Sequence, residues 1–499
     1  MTSAGELRMG TSAGRWVLLT TVLGSGLVMI DGTVVNVALE SIGTEFGAGF
    51  TGLQWTVNAY TLTLASLILL GGSLGDRYGR RRVFLFGVVW FALASLLCGL
   101  APDVGTLVGA RALQGVGGAL LTPGSLALIS ASFHGPDRAA AVGAWSGLGG
   151  IAGAVGPFLG GWLVEYSWRL VFLVNLPLAA LIVAVALKHV PESRDPDSAP
   201  GLDVSGTVLA VVGLGALTYG LTGLGEGGPQ PVLLGAVAAG VLALVAFVVV
   251  ERRSRHPLVP PVLFTDRVFT AANTATLLLY GALGVVFLML VLQLQIVAGF
   301  SPLAAGTALL PVTAVMLLFS ARAGALAGRI GPRIPMTVGP LVSAAGLVLL
   351  VLRVDADTSW LLDVLPAVLL FGAGLALTVA PLTATVLDAA PDRYAGSASG
   401  VNNAIARAAG LLAVAVVPGL AGIGGADYTD PAAFGAGFRT AMLIAAGLLV
   451  AAAAVAALLL RRPAERPGAD VVEREPRVRV EECAHCGVTG PPLHPADRR

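Results

Sequence analysis

The sequence predicts an all-α integral membrane protein that crosses the bilayer about fourteen times. Only 12% of the 499 residues are charged, 56% are hydrophobic and the mean hydropathy is +0.85, whereas about a quarter of the residues in a soluble protein are charged. The charges also cluster in short islands, separated by apolar stretches of roughly 20 residues, the length of one membrane-spanning helix. Such continuous runs are too long for the strands of a membrane barrel, so the predicted fold is a helical bundle.

Charged or Gly/Pro-rich islands mark the ends of the individual spans, and the basic islands fall almost entirely after the even-numbered ones. By the positive-inside rule, both termini are therefore predicted to be cytoplasmic, in a multi-pass protein of the inner (cytoplasmic) cell membrane. The predicted spans are 15–39, 52–74, 83–101, 106–129, 139–163, 170–188, 204–223, 231–250, 269–298, 303–326, 335–353, 362–386, 398–421 and 436–460.

Two polar segments divide the predicted spans into groups of six, two and six. Pro191–Asp203 is rich in proline and Arg252–Pro261 is rich in arginine, and both have the composition of linkers. We expect an N-terminal six-helix bundle over 1–190, linkers and inserted helices seven and eight over 191–262, and a C-terminal six-helix bundle over 263–460. Residues 461–499 are expected to form a disordered cytoplasmic tail.

A glycine- and arginine-rich loop follows the second span. Its glycines let two helix ends approach closely, and its aspartate and arginines can form interhelical pairs at the cytoplasmic surface. A bare basic run would serve only as a topogenic anchor. The full spacing, however, resembles the loop motif G-x-L-x-D-R-x-G-R-R/K of the major facilitator superfamily, which implies that family's fold and a conformational role for the loop. The residues that match are Gly72, Asp76, Arg77, Gly79 and Arg80. A weaker copy, Gly324–Arg333, follows span ten with Gly328 in the place of the aspartate.

The fifth span carries glycines every three or four residues, which form a flat face for close helix packing, and a proline that bends the helix. This pattern alone is also compatible with a closely packed helix of no special role. The spacing Gly-x-x-Gly-Pro-x-x-Gly-Gly resembles the motif typical of major facilitator exporters, and this resemblance favours export over uptake. The matching residues are Gly153, Gly156, Pro157, Gly160 and Gly161.

Three further motifs narrow the resemblance to one family of these transporters. Asp31–Leu39 is similar to the D-x-T-V-V-N-V-A-L-P signature of fourteen-span drug:proton antiporters, with Glu40 in the place of the final proline. Span four opens with Arg111–Gly118, similar to the R-x-x-Q-G-x-G motif of proton-driven members, and Trp168–Pro177 resembles the W-R-x-x-F-x-x-N-x-P entry to span six. The chain is identified on these motifs as resembling the fourteen-span drug:proton antiporter family.

Asp31 is the one acidic residue clear of the predicted span ends. Placing an ionisable residue inside the bilayer costs free energy, so such a residue is a functional candidate by default. Asp31 lies about 24 Å of helix beyond Arg15, at 1.5 Å per residue, and Arg111 lies at a similar depth on an oppositely directed span. Their interaction would lower the pKa of the carboxyl group, and losing it in apolar surroundings would raise that pKa. We therefore predict that Asp31 and Arg111 couple transport to protons; the alternative is a static structural pair.

Polar residues inside other spans are candidates for a substrate cavity. Gln54 and Asn58 lie one turn apart on span two, with Trp55 beside them, although a polar face packing on a neighbouring helix explains the pattern equally well. Gln293 and Asn402 are the corresponding candidates in the C-terminal bundle. Further polar groups of that bundle are Asn273, Tyr280, Gln295, Asn403 and Arg407.

Several classes of function are excluded by what the sequence lacks. The net charge of +1 offers no basic face for nucleic acid. All five histidines lie outside the predicted spans and no G-x-x-x-x-G-K-S/T loop occurs, so we expect no enzyme activity, metal or cofactor and an energy supply from a proton gradient. Cys483 and Cys486 lie near His485 in the tail, but the second half of a zinc finger is absent.

The resemblance implies proton-coupled efflux of amphipathic drugs or antibiotics by alternating access. The expected partners are a small-molecule substrate, protons and the lipid bilayer, and we expect a monomer to be functional. A dedicated exporter that confers self-resistance to one endogenous natural product is the main alternative. A non-transporting membrane sensor and a nutrient importer are less compatible with the short tail and the span-five motif.

Overall fold

The computed structural model describes residues 8–194, 201–225, 227–254, 257–391, 394–424 and 430–460. Within these ranges all regular secondary structure is helical, in agreement with the predicted class. The expected disordered tail, 461–499, lies outside the described residues, as do Cys483 and Cys486.

Sixteen α-helices follow one another along the described chain, with a short 3₁₀ segment, Pro261–Thr265, before α10 and a π turn, Trp360–Val364, before α14. The helices are α1 Ser12–Phe46, α2 Phe50–Tyr78, α3 Arg80–Gly99, α4 Val104–Ser132, α5 Gly135–Val164, α6 Leu170–Leu173, α7 Asn175–His189, α8 Val204–Gly225, α9 Gln230–Arg253, α10 Arg267–Ile296, α11 Pro302–Ala308, α12 Leu310–Ile330, α13 Arg333–Arg353, α14 Leu365–Asp388, α15 Ala395–Leu420 and α16 Pro431–Leu459.

Thirteen helical segments in the described residues are long and apolar enough to cross a membrane, with α6–α7 and α11–α12 each counting as one segment. The helix α5, Gly135–Val164, is also 30 residues long. Two predicted spans are interrupted, at Val174 and at Leu309. In both, a proline close to the start of the second helix, Pro177 or Pro311, lacks the N–H that would continue the hydrogen-bond ladder.

The hairpin of α8 and α9 lies beside the main body of helices. The helix α8 packs on α9 and also contacts α2 and α15, and Leu214 of α8 clusters with Ala65 and Leu411. Of the 18 residues that form the most apolar stretch of α9, only 11% are buried, compared with 67% in the corresponding stretch of α1. The helix α8 is therefore the inner helix of the pair, and α9 presents most of its apolar surface outward.

The two groups of helices that flank this hairpin in sequence are joined at the end of the molecule where α1 finishes. There Gln54 Nε2 donates to the Val414 carbonyl at 2.8 Å, and Gln295 Nε2 donates to the Val37 carbonyl at 3.1 Å. Gly306 of α11 packs against α5 so closely that a Cβ would overlap a backbone carbonyl. These contacts close that end.

Candidate functional site

The predicted pair Asp31 and Arg111 lies at the centre of a buried polar cluster. Asp31 is on α1, Arg111 is on α4, and both side chains are excluded from solvent, with 0% and 1% exposed. The helix α4 starts at Val104 because Asp103 caps it, accepting a 2.8 Å hydrogen bond from the Thr106 N–H. That bond holds the pKa of Asp103 below its usual value. The capped start fixes the depth at which Arg111 emerges two turns later.

Three hydrogen-bond donors satisfy the Asp31 carboxylate, and they belong to Arg111, Gln114 and Asn175. We call Asp31, these three residues and the neighbouring Ser95 the Asp31 cluster. Arg111 Nη1 lies 2.5 Å from Asp31 Oδ2. On the other oxygen, Gln114 Nε2 donates to Oδ1 at 2.7 Å and Asn175 Nδ2 donates to it at 3.0 Å. Both amides also reach Ser95 Oγ, at 2.8 Å and 3.3 Å. Helices α1, α3, α4 and α7 thus converge on one carboxyl group.

Arg111 has acceptors besides Asp31. Its Nη1 also donates to Gln114 Oε1 at 2.5 Å, and its Nε donates to the Thr56 carbonyl of α2 at 3.0 Å. Its guanidinium lies 4.2 Å from the centre of the Tyr60 ring, a cation–π distance. The arginine is therefore held in place by groups that do not change when Asp31 takes up a proton.

The arrangement is a buried ion pair whose acid has a complete set of hydrogen-bond donors. A buried ion pair is stable only while its geometry is good, and losing one partner costs about 3–5 kcal/mol. The carboxylate in this structure is fully paired and sealed from solvent.

Sequence reasoning identified the ion pair but missed its other members. Gln114 and Asn175 both stand in the motifs that were matched, at Arg111–Gly118 and Trp168–Pro177, so a signal for them was present. Tyr60 and Ser95 lie in ordinary apolar runs, and no pattern in the sequence distinguishes them.

The loop after α2 is built around a tight turn at Gly79. Its φ of 113° lies in a region that favours glycine. Gly79 is the single residue between the end of α2 and the start of α3. Arg80 Nε and Nη2 both lie 2.8 Å from Asp76 Oδ1, which ties the start of α3 to the end of α2. Arg77 is exposed and lies over the Tyr78 ring at 5.4 Å. A Cβ added to Gly72 would have one neighbour within 4 Å, the Cβ of Pro123 at 3.6 Å.

A partner of this loop that the sequence did not reveal is Glu192, just after α7. Its Oε1 accepts a hydrogen bond from the Arg81 N–H at 3.1 Å, and its Oε2 lies 3.6 Å from Arg82 Nε. The Arg80 N–H donates to the Ser193 carbonyl at 2.9 Å. The segment that follows α7, which the sequence suggests is only a linker, therefore holds the loop in place.

The glycines of the span-five motif contact two different helices. A Cβ on Gly156 would overlap Thr33 of α1, and a Cβ on Gly160 would lie 3.1 Å from the Val34 carbonyl. A Cβ on Gly161 would lie 2.6 Å from Leu303 Cα of α11, whereas Gly153 has nothing within 4 Å. The carbonyl of Pro157 is the group that a Cβ on Gly306 would overlap. The motif thus allows α5 to pack tightly on α1 and on α11 together.

The residues predicted to line a cavity are placed differently from one another. Gln54 joins α2 to α15 by the hydrogen bond to Val414. Trp55 is half-buried, and Asn58 is buried with neither side-chain atom hydrogen-bonded within the described residues. Gln293 is buried, with Oε1 lacking a partner there as well. Asn402 Nδ2 donates to Thr276 Oγ1 at 2.8 Å and to Asn273 Oδ1 at 3.1 Å.

A cavity of about 60 Å³ lies between α1, α5, α10 and α12. Asn36, Gly153, Pro157 and Phe287 contribute to its wall, and none of the five predicted cavity residues does. Its size suits water and not a drug, so in this conformation the space between the two groups of helices is nearly closed at this level.

Comparison with known proteins agrees with the fold and with the motifs. The family model "Major Facilitator Superfamily" matches residues 21–414. The chain is 37% identical over 470 residues to the puromycin resistance protein pur8 of Streptomyces alboniger, covering 90% of this chain and 92% of that one. It is 38% identical over 392 residues to the multidrug resistance protein Stp of Mycobacterium tuberculosis (strain CDC 1551 / Oshkosh), covering 78% and 72%.

Among solved structures, the D-xylose-proton symporter superposes with a TM-score of 0.64 at 16% identity, covering 90% of this chain and 99% of that chain. At this identity the likeness shows the fold alone. The match of the family model over most of the chain, the two relatives and the thirteen candidate spans lead to one conclusion. This chain is a multi-pass membrane protein that belongs to the major facilitator superfamily.

Proposed function

We propose that this protein is a transporter, not an enzyme, which exports amphipathic drugs or antibiotics across the cytoplasmic membrane in exchange for protons. The observation that carries the proposal is the Asp31 cluster, in which one carboxylate inside the bundle is paired with Arg111 at 2.5 Å and sealed from solvent. The two relatives are named for resistance to puromycin and to multiple drugs, which supports antibiotics and other drugs as the cargo.

The proposed proton step uses groups already in contact. With Asp31 ionised, Arg111 is held by Asp31, Gln114 and the Thr56 carbonyl. When Asp31 takes a proton from outside, the ion pair is lost, but Arg111 keeps its other acceptors and the Tyr60 ring. The protonated carboxyl can still accept from Gln114. The cost of neutralising the pair is thereby reduced, and one proton can bias the packing of α1 against α4.

Alternating access follows from the contacts between the two groups of helices. The hydrogen bonds from Gln54 to Val414 and from Gln295 to Val37, together with the close packing of Gly161 on Leu303, close the end where α1 finishes. We place this end on the outer side, since the basic islands put the N-terminus in the cytoplasm. The structure then corresponds to an outward-closed state, and export requires these contacts to open.

The full topology is part of the proposal. With α5 as a further span beside the thirteen candidates, the chain crosses about fourteen times and both termini are cytoplasmic. Two six-helix bundles, 1–190 and 263–460, would then move against each other, with the inserted hairpin 191–262 attached through α8. We propose that a monomer suffices and that no cofactor is needed beyond the proton gradient.

The decisive experiment is drug-dependent proton movement in everted membrane vesicles that contain the full-length chain. Addition of a transported compound should dissipate an imposed proton gradient, and a protonophore should abolish drug accumulation. Drug accumulation that persists without a proton gradient would contradict proton coupling, and no accumulation of any compound would contradict export. A panel of antibiotics decides the alternative, because activity on one compound alone indicates a dedicated exporter.

A further inference from the structure

Arg407 is a cation in the middle of α15 that the proton site does not use. It lies about 18 Å of helix from Ala395 and about 20 Å from Leu420, at 1.5 Å per residue. That distance is greater than an arginine side chain can span, so Arg407 cannot place its guanidinium in the interface with water as arginines near helix ends do. A charge at this depth is costly and calls for a functional explanation.

The partners of Arg407 do not neutralise it. Its Nε donates to Asn403 Oδ1 on the same helix at 3.1 Å, and this uses one of five N–H donors. Among the ion pairs formed within the described residues, none includes Arg407. The titratable groups that interact with it electrostatically are the phenols of Tyr60 and Tyr280. Arg407 thus differs from Arg111, whose charge Asp31 balances.

Arg407 also faces the boundary between the two groups of helices. Tyr60 belongs to α2 and stacks on Arg111, and it interacts electrostatically with Arg407 as well. Tyr280 belongs to α10 on the other side. Both Arg407 and Tyr280 are only partly buried, although each lies near the middle of its helix.

We propose that Arg407 binds the acid group of the transported molecule, so that the preferred substrates are amphipathic organic anions carrying a carboxylate or an equivalent acidic group. The inference rests on the proposed export function and specifies its substrate class. A guanidinium fork matches a carboxylate in a bidentate geometry. The phenol of Tyr280, which is only partly buried, supplies a further donor and aromatic surface for the rest of the molecule. The bound anion supplies the countercharge that Arg407 lacks among the described residues.

The test measures binding to the purified full-length chain in detergent at neutral pH. The probes are dansylated alkanoic acids of short, medium and long chain, each compared with its uncharged carboxamide by fluorescence titration. A charged hydrogen bond in a buried site adds about 1.5–3 kcal/mol, so the acid should bind about 10- to 100-fold more tightly than the amide. Arg407→Gln should remove this preference while leaving amide binding intact, and Arg407→Lys should keep part of it. Arg322→Gln, at an exposed arginine near the end of α12, is the matched control and should change nothing.

Equal binding of acid and amide by the wild-type chain, no binding of either, or an acid preference that survives Arg407→Gln would overturn the proposal. Retained amide binding shows that the variant is folded. The assay needs no proton gradient, which separates it from the proposed function. Proton-coupled efflux without an acid preference would refute this inference alone, whereas acid binding that depends on Arg407 in a chain without efflux would refute the export function alone.

Discussion

Arg111 and Asp31 are 80 positions apart in the chain, yet Arg111 Nη1 donates a 2.5 Å hydrogen bond to Asp31 Oδ2 in the interior of the helical body. The pair is not isolated, because Gln114 contacts both partners, accepting from Arg111 and donating to Asp31. A side chain that touches both members of an ion pair can keep each in place when the other loses its charge. Gln114 therefore ties both charged groups of the cluster into one hydrogen-bonded unit.

Asp31→Asn is expected to abolish proton-coupled efflux, because the amide cannot take up the proton although it fills the same space. Drug-dependent proton movement in everted vesicles should fall to background. Glu40→Gln, at a half-buried acid further along α1, is the matched control and should transport normally. Loss of the charge leaves Arg111 unbalanced at a cost of about 3–5 kcal/mol, so protein abundance must be measured in parallel. Full efflux by a well-expressed Asp31→Asn protein would rule out this proton site.

Gln54→Leu is expected to weaken closure at the outer end, because it removes the hydrogen bond to the Val414 carbonyl. One such bond contributes about 1 kcal/mol, which corresponds to a shift of about fivefold in the conformational equilibrium. Pulsed electron paramagnetic resonance between spin labels at the outer ends of α2 and α15 should show a larger population of long distances. Gln230→Leu, at an exposed position of α9, serves as the control. An unchanged distance distribution would mean that Gln54 has no part in closure.

Gly161→Ala is expected to push α5 away from α11, because the new Cβ would lie 2.6 Å from Leu303 Cα. Gly153→Ala, in the same motif but with nothing within 4 Å, should be tolerated. The measurement is the labelling rate of an Asn36→Cys reporter in the small cavity by a membrane-impermeant maleimide applied from outside. Labelling should be faster in Gly161→Ala only. Equal rates in the two alanine variants would show that this contact does not control access.

Gly79→Ala is expected to destabilise the loop between α2 and α3, because a residue with a Cβ pays about 1–2 kcal/mol at a positive φ such as 113°. The added methyl group would also displace the Glu192 carboxylate, at 2.7 Å from its Oε1. Gly75→Ala, four residues earlier with open space around its Cα, is the comparison. Thermal unfolding in detergent should show a lower midpoint for Gly79→Ala than for Gly75→Ala. The reverse order would contradict the described turn.

Glu251→Gln is expected to stabilise the hairpin at alkaline pH. The carboxyl groups of Glu251 and Asp203 converge on Gly206, and Glu251 Oε1 and Asp203 Oδ2 are both buried without a donor in the described residues. We expect Glu251 to carry a proton that it shares with Asp203, and we expect the loss of this proton as the pH rises to leave two facing negative charges. A glutamine amide supplies the donor at every pH, and satisfying a buried group is worth about 1–3 kcal/mol. The midpoint temperature of thermal unfolding should fall at high pH for the wild type and stay constant for the variant. Parallel pH dependences of the two midpoints would disprove the shared proton.

The sequence by itself determined the helical class, the approximate spans and the position of the interior acid. These follow from the demand of lipid that every backbone polar group be satisfied within its own segment, which makes each span a visible apolar run. The motifs also located the loop at Gly79 and the glycine face of α5. The similar depth of Asp31 and Arg111 could be calculated because helix rise is constant and α1 and α4 were predicted to run in opposite directions.

Only the tertiary structure decided which side chains meet. It brought Gln114 and Asn175 to Asp31, Glu192 to the loop, and Gln54 to Val414 instead of a cavity. It also placed Arg407 where no described residue forms an ion pair with it. These outcomes depend on how each helix is rotated about its axis. In a membrane protein the lipid is as apolar as the helix interfaces, so the hydrophobic pattern that fixes rotation in soluble proteins is weak, and small residues and scattered polar contacts between distant segments decide it.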